Sequence, residues 1–186
     1  MVEIKLFETK YAEDVRQVCA NTGPVAARTD PVEKDKVITV YCDYYWQQEP
    51  QNTFVLVDEN DTAQGYILCA ENAKNYCKGF APYMQKLRNN HGIRECIVPW
   101  GEQIIYRFFS KKYPAHLHID INKPFRGNGN GSHMMETLLS HLKSKGIKGV
   151  MLIVGSYNTK AIRFYKRNGF KVLCSLGGGT VMAKEL

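Results

Sequence analysis

The clearest strand pattern in the chain lies at residues 116–121, where apolar and polar side chains alternate. A glycine-rich segment at residues 126–131 follows, and apolar residues then recur at helical spacing over residues 132–145. The pattern predicts a strand, a glycine loop and a helix in succession. One face of the strand carries Leu117, Ile119 and Ile121, and the other carries His118 and Asp120.

Strand and helix patterns alternate through the rest of the chain. Asp30 and Pro31 form a helix start signal, a capping carboxylate followed by proline in the first turn. Residues 71–114 carry the weakest pattern. Long segments between strands usually either carry function or are mobile, and we expect this segment to carry function. Strands are predicted at residues 2–7, 53–57, 64–70, 149–154, 170–174 and 180–184, and helices at residues 9–20, 31–45, 83–88, 102–111 and 158–167.

These elements predict an α/β fold in which helices flank a central, twisted, mixed β-sheet. A chain of 186 residues fits one domain, and a domain of this size buries about 70% of its unfolded surface. The apolar fraction of 44% and the charged fraction of 23% are ordinary for a globular protein. We expect a single domain over residues 1–186, with an insertion at about residues 71–114 between two core strands.

Charged residues are spread through the first twenty positions, which argues against a signal or transit peptide. No apolar run approaches the roughly 20 residues that a membrane helix needs. The six cysteines include no CxxC pair and no nearby Cys/His cluster, so their spacing predicts neither a disulfide framework nor a metal site. We therefore expect a cytoplasmic protein with reduced cysteines and no metal.

The net charge of +7 raises the hypothesis of nucleic-acid binding. The lysines and arginines are scattered, however, and their densest groups, residues 143–148 and 160–171, lie near the glycine loop in sequence. There they could equally serve an anionic cofactor. A solvated basic face and a cofactor site both rank above a nucleic-acid surface.

The glycine loop between a strand and a helix is typical of a phosphate site, because backbone N–H groups and the helix dipole converge there. Two common phosphate motifs fail on spacing. A Walker loop needs Gly-Lys-Ser/Thr, whereas Gly131 is followed by Ser132 and His133. A dinucleotide GxGxxG fingerprint places its last glycine at Ser132 or Met134. The pattern that remains is Arg126-x-x-Gly129-x-Gly131.

That pattern resembles the acetyl-CoA pyrophosphate loop, (Arg/Gln)-x-x-Gly-x-(Gly/Ala), of the GNAT family of N-acetyltransferases. A second resemblance lies downstream, where Asn158-x-x-Ala161-x-x-Phe164-Tyr165 followed by Gly169-Phe170 is similar to the family's Asn-x-x-Ala-x-x-Phe-Tyr and Gly-Phe pattern. Together, in order and on the appropriate elements, the two motifs are specific. The resemblance is best over residues 53–70 and from residue 115 onward, and it implies the GNAT fold.

A closer resemblance is to the acetyltransferase-like domain of O-GlcNAcases and its free-standing bacterial relatives. It rests on Tyr44-Tyr45 with Glu49-Pro50, on the GYIL segment at 65–68, and on YPAHLHIDI at 113–121. Fused versions of that domain are not uniformly accepted as active enzymes. One departure from the wider family is Lys123, which stands three residues before Arg126 where proline is usual, with Pro124 following it.

The resemblance implies a cofactor, acetyl-CoA, and the residues that hold it. The two strands beside the cofactor splay apart in such folds, and the backbone of Ile119 and Ile121 would pair with the pantetheine arm and polarise the thioester carbonyl. Asn158 would contact the cofactor or cap its own helix. The pyrophosphate would be held by Arg126 and by the backbone N–H groups of Gly127, Asn128, Gly129, Asn130, Gly131 and Ser132.

Transfer of an acetyl group to an amine needs a proton donor for the leaving thiolate and a base for the incoming ammonium. Tyr165 is the candidate donor because it matches the family's tyrosine. Asp120 is the candidate base, because the resemblance keeps an acid there. His118, His116 and Glu102 are second choices, an ordered water is a further alternative, and each named residue could instead be structural.

The sequence thus predicts an N-acetyltransferase in which a primary amine attacks acetyl-CoA directly in a ternary complex. The acceptor is a small molecule, a peptide N-terminus or a lysine side chain, and residues 71–114 with the helices before Trp46 would shape that choice. The alternative is a non-catalytic acyl-CoA-binding module. The expected partners are the amine acceptor and, as one option, a second copy in a homodimer, with no nucleic acid and no membrane.

Overall fold

The computed structural model describes residues 2–186, which form a seven-stranded sheet with eight α-helices and several short 3-10 turns. The strands are β1 (Glu3–Leu6), β2 (Thr53–Val57), β3 (Ala63–Ala70), β4 (Ala115–Ile121), β5 (Gly149–Gly155), β6 (Lys171–Leu176) and β7 (Gly179–Glu185). The helices are α1 (Ala12–Thr22), α2 (Pro31–Tyr41), α3 (Asp43–Gln48), α4 (Ala73–Gly79), α5 (Ala81–His91), α6 (Ile97–Phe109), α7 (Asn130–Ser144) and α8 (Thr159–Arg167).

The strands follow the order β1-β2-β3-β4-β5-β7-β6 across the sheet. Within residues 2–186 the pair β4·β5 is parallel and the other neighbours are antiparallel. The crossover between β4 and β5 is the glycine loop and α7, so the loop lies at the carboxyl end of β4. The predicted α/β fold with a mixed sheet and flanking helices is confirmed.

The sheet separates two apolar layers, as the two-residue period of its strands requires. Leu117 and Ile121 of β4 face a layer that contains buried residues of α7 and Tyr165 of α8. Alternate residues of the central strands, such as Leu68 and Met151, face a second layer built from α1, α2, α3 and α4. This second layer is rich in tyrosine, and Tyr11, Tyr44, Tyr45, Tyr66, Tyr76 and Tyr106 are all buried.

The prediction of one continuous helix over residues 31–45 is wrong. The helix begins as expected, with the Asp30 side chain accepting from the Val32 N–H at 2.8 Å, but it divides at Cys42 (φ −132°, ψ −62°). The bend redirects Tyr44 and Tyr45 into the aromatic layer, where both are buried. Tertiary packing of these rings therefore overrides the helical period of the sequence.

The segment between β3 and β4 contains three helices, of which α4 was not expected from the sequence. Asn72 caps α4 by accepting from the N–H groups of Lys74 and Asn75. The helix has few apolar residues, so it shows no clear apolar stripe. Helix α6 also begins five residues before its predicted start, and it lies on the same side of the sheet as the tyrosine-rich layer.

None of the helices in residues 2–186 is long and apolar enough to span a membrane.

Candidate active site

Strands β4 and β5 separate soon after they begin to pair. Their register contains Ala115 opposite Val150 and His116 opposite Met151, and β4 continues beyond these pairs to Ile121. Backbone groups alternate in direction along a strand, and the Asn122 N–H points to Gln64 of the β3 side at 2.8 Å. The backbone groups of Ile119 and Ile121 therefore point toward the gap between β4 and β5.

The glycine loop closes one end of this gap. Gly127 (φ +97°) and Gly129 (φ +80°) adopt backbone conformations that other residues enter only with strain, and Asn128 between them also has a positive φ of 49°. Gly129 is the N-cap of α7, so the first amides of the helix open next to the loop. The sequence folds this way because its glycines permit a sharp reversal directly before the helix.

A cleft of about 570 Å³ lies between the loop, the end of β4 and α8, and we call it the loop cleft. It brings together ten of the twelve residues predicted from the sequence. Those residues are Ile119, Asp120, Ile121, Arg126, Gly127, Gly129, Gly131, Ser132, Asn158 and Tyr165. Its further lining residues are Thr22, Lys160, Ala161, Phe164 and Arg167.

The other two predicted residues, Asn128 and Asn130, do not line the loop cleft. They face a different cavity beside Pro124 and Phe125. The Asn130 N–H donates to the Gly127 carbonyl at 3.1 Å, and its side-chain amide donates to the Phe125 carbonyl at 2.9 Å. Asn130 therefore has its hydrogen-bonding groups engaged in shaping the loop.

Arg126 and Asn158 fix the edges of the loop cleft. The Arg126 Nε–H donates to the Ile121 carbonyl at 2.6 Å, which ties the loop to the end of β4. Asn158 accepts from the Ala161 N–H at 3.1 Å and so caps α8. The capping role of Asn158 is thus present in the structure, and the residue also lines the cleft.

Lys160 and Arg167 were not named as site residues from the sequence. They belong to the basic group at residues 160–171, for which an anionic cofactor was one interpretation. With Arg126 they give the loop cleft three cationic side chains. Glycine N–H groups at a helix start, together with these cations, fit the pyrophosphate that the sequence resemblance implies.

Tyr165 lies on α8 and reaches the loop cleft from the face opposite β4. Its side chain is 8% exposed and packs in the apolar layer with Phe164 and Phe170. Burial raises the pKa of the Tyr165 phenol above its ordinary value, and the Asp120 carboxyl raises it further. The phenol therefore keeps its proton at neutral pH.

Asp120 lies at the junction of two cavities. It lines the loop cleft, and it also lines a second cavity of about 570 Å³ on the other side of β4. The Tyr66 hydroxyl donates to Asp120 Oδ2 at 2.8 Å. Burial raises the pKa of Asp120 to about 6, and the Tyr66 hydrogen bond and the Arg126 charge oppose that rise.

The second cavity, which we call the acid pocket, contains a second carboxyl group, that of Glu102 on α6. Burial raises the pKa of Glu102 to about 7, and the Tyr41 hydroxyl opposes the rise. The walls come from α1, α2, α6, β3, β4, the end of β5 and the turn between β6 and β7. Both the insertion and the early helices therefore contribute to it.

Two histidines of β4 share one tyrosine hydroxyl. The Tyr45 oxygen lies 3.0 Å from His116 Nε2 and 3.0 Å from His118 Nε2. Tyr45 has one proton, so it donates to one ring and accepts from the other. His116 Nδ1 is buried without a partner, and because an unpaired buried N–H is rare, we assign this nitrogen as the bare one.

This assignment makes His116 the donor to Tyr45 and makes His118 Nε2 the acceptor. His118 then carries its proton on Nδ1 and is a hydrogen-bond donor toward its surroundings. Burial lowers the pKa of His118 to about 4, so the ring is neutral at pH 7. His116 is buried against Tyr76 and Tyr106 and lines neither the loop cleft nor the acid pocket.

The three alternative candidates for the base therefore lie in different parts of the structure. His118 and Glu102 line the acid pocket, whereas His116 lies in the aromatic layer. Glu102 has the higher pKa of the two carboxyls, and Asp120 is the one that reaches both cavities. Within residues 2–186, no group of three or more His, Cys, Asp or Glu side chains could hold a metal ion.

Comparison with known proteins identifies a family. The family model of the acetyltransferase (GNAT) family matches residues 24–170 of this chain. An uncharacterized N-acetyltransferase of Methanocaldococcus jannaschii is 35% identical over 96 residues, which cover 51% of this chain and 40% of that protein. The chain thus matches less than half the length of that curated relative.

Solved structures share the fold over the full length. The crystal structure of SsHAT has a TM-score of 0.87 at 24% identity and covers 99% of this chain and 98% of that one. PaiA N-acetyltransferase from Thermoplasma acidophilum, solved in complex with coenzyme A, has a TM-score of 0.61 at 14% identity and covers 100% of this chain and 99% of that one. At these identities the likeness concerns the fold.

Proposed function

This chain belongs to the GNAT family of acetyltransferases, and we propose that it transfers the acetyl group of acetyl-CoA to a primary amine in a ternary complex. The observation that carries the proposal is the position of Asp120. The residue borders a cationic cleft with a glycine loop on one side of β4 and an acid pocket on the other. An acetyl donor and an amine acceptor can therefore meet at one side chain.

The loop cleft supplies the donor site in this proposal. Backbone N–H groups of Gly127, Gly129, Gly131 and Ser132 hold the pyrophosphate, and Arg126, Lys160 and Arg167 neutralise its charge. The backbone of Ile119 and the N–H of Ile121, which have no strand partner on the β5 side, pair with the pantetheine arm, while the Ile121 carbonyl accepts from Arg126. The bound cofactor supplies an activated acetyl thioester.

Asp120 is the base in this mechanism. A carboxyl with a pKa of about 6 is ionised at pH 7 and takes a proton better than His118, whose pKa is about 4. Tyr165 acts on the other side of the cleft, where its protonated phenol donates to the departing sulfur.

A non-catalytic acyl-CoA-binding module is the competing function. A binding module of this kind predicts that Tyr165 turns away from the loop cleft, or that no cavity for an acceptor adjoins the loop cleft. Tyr165 lines the cleft, and the acid pocket meets the cleft at Asp120. These two observations support the enzyme over the binder. The closer likeness to the acetyltransferase-like domain of O-GlcNAcases stays a prediction.

The test has two measurements. Calorimetry at millimolar acetyl-CoA should give a saturable binding isotherm, and release of free thiol should depend on both acetyl-CoA and an amine from a broad panel. Binding without amine-dependent thiol release would favour the non-catalytic module. Absence of binding would remove the central claim.

A further inference from the structure

The two cavities beside Asp120 differ sharply in charge. Three cationic side chains line the loop cleft. Among the described residues that line the acid pocket there is no lysine or arginine, although the chain has 25 of them. The charged or titratable groups that face the pocket are instead the carboxyls of Glu102 and Asp120, the neutral ring of His118, the thiol of Cys19 and the hydroxyls of three tyrosines, Tyr41, Tyr66 and Tyr157.

The mouth of the acid pocket is apolar. Ile97 and Val98 of α6 are 65% and 60% exposed, and Leu176 at the turn between β6 and β7 is 62% exposed. Tyr157, which follows β5, is 90% exposed and completes the rim. Large apolar side chains from three separate elements thus surround the entrance, while the carboxyls lie deeper.

We propose that the acceptor of this chain is a primary monoamine on an apolar alkyl or aryl body that carries no anionic group near the amine. The inference rests on the proposed function and names the substrate class of the same site. The ammonium group lies between Glu102 and Asp120, and the apolar body contacts Ile97, Val98, Tyr157 and Leu176. Glu102 holds the cation, and Asp120 removes its proton.

Charge explains the exclusion of anionic acceptors. An α-amino acid would bring a carboxylate close to Glu102 and Asp120, and the described residues that line the acid pocket include no cation to pair it. Like charges in a partly dehydrated site repel strongly, and an unpaired buried carboxylate loses its hydration without compensation. Recognition of amino acids or phosphorylated amines would need an arginine or lysine in the wall, and the described lining residues include none.

The rim also argues against a diamine. Glu102 and Asp120 are the carboxyls among the described lining residues, and both act on the first ammonium group. A second ammonium group would lie among the apolar side chains of the rim, where it would lose hydration without a carboxylate to pair it. A monoamine therefore matches the pocket in charge, and its apolar body matches the rim.

A substrate panel tests the proposal on the full chain. The panel consists of 2-phenylethylamine and hexylamine, phenylalanine, phenylalaninamide, putrescine and a lysine-containing peptide. We expect kcat/KM for 2-phenylethylamine to exceed that for phenylalanine by at least a hundredfold. Phenylalaninamide, which keeps the bulk without the negative charge, should lie between them. Hexylamine should exceed putrescine and the peptide by tenfold or more.

A charge-introducing variant gives an independent test. Val98→Arg places a cation at the exposed rim and should raise kcat/KM for phenylalanine relative to 2-phenylethylamine by at least tenfold. Ile104→Arg is the matched control, because Ile104 lies on the same helix, is 50% exposed and does not line the pocket. Its selectivity should equal that of the wild type. Calorimetric binding of CoA reports folding of both variants.

The results distinguish a failure of the inference about the acceptor from a failure of the proposed function. Acetylation of phenylalanine, putrescine or the peptide in preference to the apolar monoamines overturns the inference and leaves the proposed function intact. Equal selectivity of Val98→Arg and Ile104→Arg also overturns it. If the wild type binds CoA and acetylates no amine, the proposed function itself fails, and the inference fails with it.

Discussion

At Asp120, two opposing influences set the proton affinity of one carboxyl. Burial beside β3 raises its pKa to about 6, and the hydrogen bond from Tyr66 limits the rise. The result is a carboxylate that is ionised at neutral pH and still binds a proton more strongly than an exposed aspartate does.

Asp120→Asn should remove the acidic limb of the pH profile of kcat/KM. In the wild type the rate should rise as pH increases through about 6, because the base form of Asp120 is populated above its pKa. The variant should lose about 10² to 10⁴ in rate, as is common when a general base is removed. Steady-state kinetics from pH 5 to 9 measure both effects.

Tyr66→Phe provides the companion variant for Asp120. It removes the hydrogen bond that lowers the pKa of Asp120, so the acidic limb should move to higher pH while activity at pH 9 is retained. An unshifted limb in Tyr66→Phe, or full activity at neutral pH in Asp120→Asn, would direct attention to Glu102.

Tyr165→Phe should lower kcat while the affinity for acetyl-CoA stays near that of the wild type. The phenol is the proposed proton donor, and loss of a general acid commonly costs about 10² in rate. Tyr113→Phe is the control, since Tyr113 is also buried but lines neither the loop cleft nor the acid pocket. Equal turnover in the two variants would exclude the donor role of Tyr165.

At the scale of elements, the junction of β4, the glycine loop and α7 shapes the loop cleft. Pairing of β4 with β5 ends early, Arg126 ties the loop back to Ile121, and Gly131 lies in the first turn of α7. A Cβ atom at Gly131 would lie 3.2 Å from the ring of Phe164. The loop and α8 are therefore in contact across the cleft.

Gly131→Ala should weaken binding of CoA about tenfold, because the added methyl group and the displaced Phe164 ring narrow the loop cleft, and tenfold corresponds to about 1.4 kcal/mol. Isothermal calorimetry measures the change. Gly101→Ala is the matched control, because a Cβ at Gly101 in α6 meets no atom within 4 Å and the residue does not line the loop cleft. Unchanged affinity in Gly131→Ala would place the pyrophosphate elsewhere.

At the scale of the whole molecule, the ionised Glu102 carboxyl of the acid pocket lowers the free energy of unfolding. Glu102 has a folded pKa of about 7, raised from 4.5, so ionisation favours the unfolded chain. The destabilisation is absent below pH 4.5 and grows as the pH rises from 4.5 to about 7. It reaches its full size above about pH 7. The proposed acceptor site therefore lowers the free energy of unfolding when it is empty.

Glu102→Gln should be more stable than the wild type by about 2 kcal/mol at pH 8, with the difference lost near pH 4. Urea denaturation at the two pH values measures it. Glu136→Gln, at an exposed position on α7, is the control and should change stability by less than about 0.5 kcal/mol at both. A pH-independent effect of Glu102→Gln would contradict the raised pKa.

The sequence by itself determined the fold class, and it predicted most of the residues that line the loop cleft. Strand alternation, the glycine loop and the apolar period of α7 are local patterns, and a phosphate loop is built from contiguous residues. Ten of the predicted site residues accordingly line one cleft. Asn128 and Asn130 line a different cavity, because the direction of each residue depends on φ angles that the residue order does not reveal.

Only the tertiary structure decided which residues form the acid pocket beside the loop cleft. The acid pocket assembles Glu102 of α6, Asp120 of β4 and Tyr157 after β5, and no sequence spacing links these residues. The division of a predicted helix at Cys42 and the unexpected α4 likewise follow from packing of the tyrosine-rich layer. Burial, which raises the pKa of both carboxyls, is a property of the assembled chain, and so the character of the acid pocket emerges only in three dimensions.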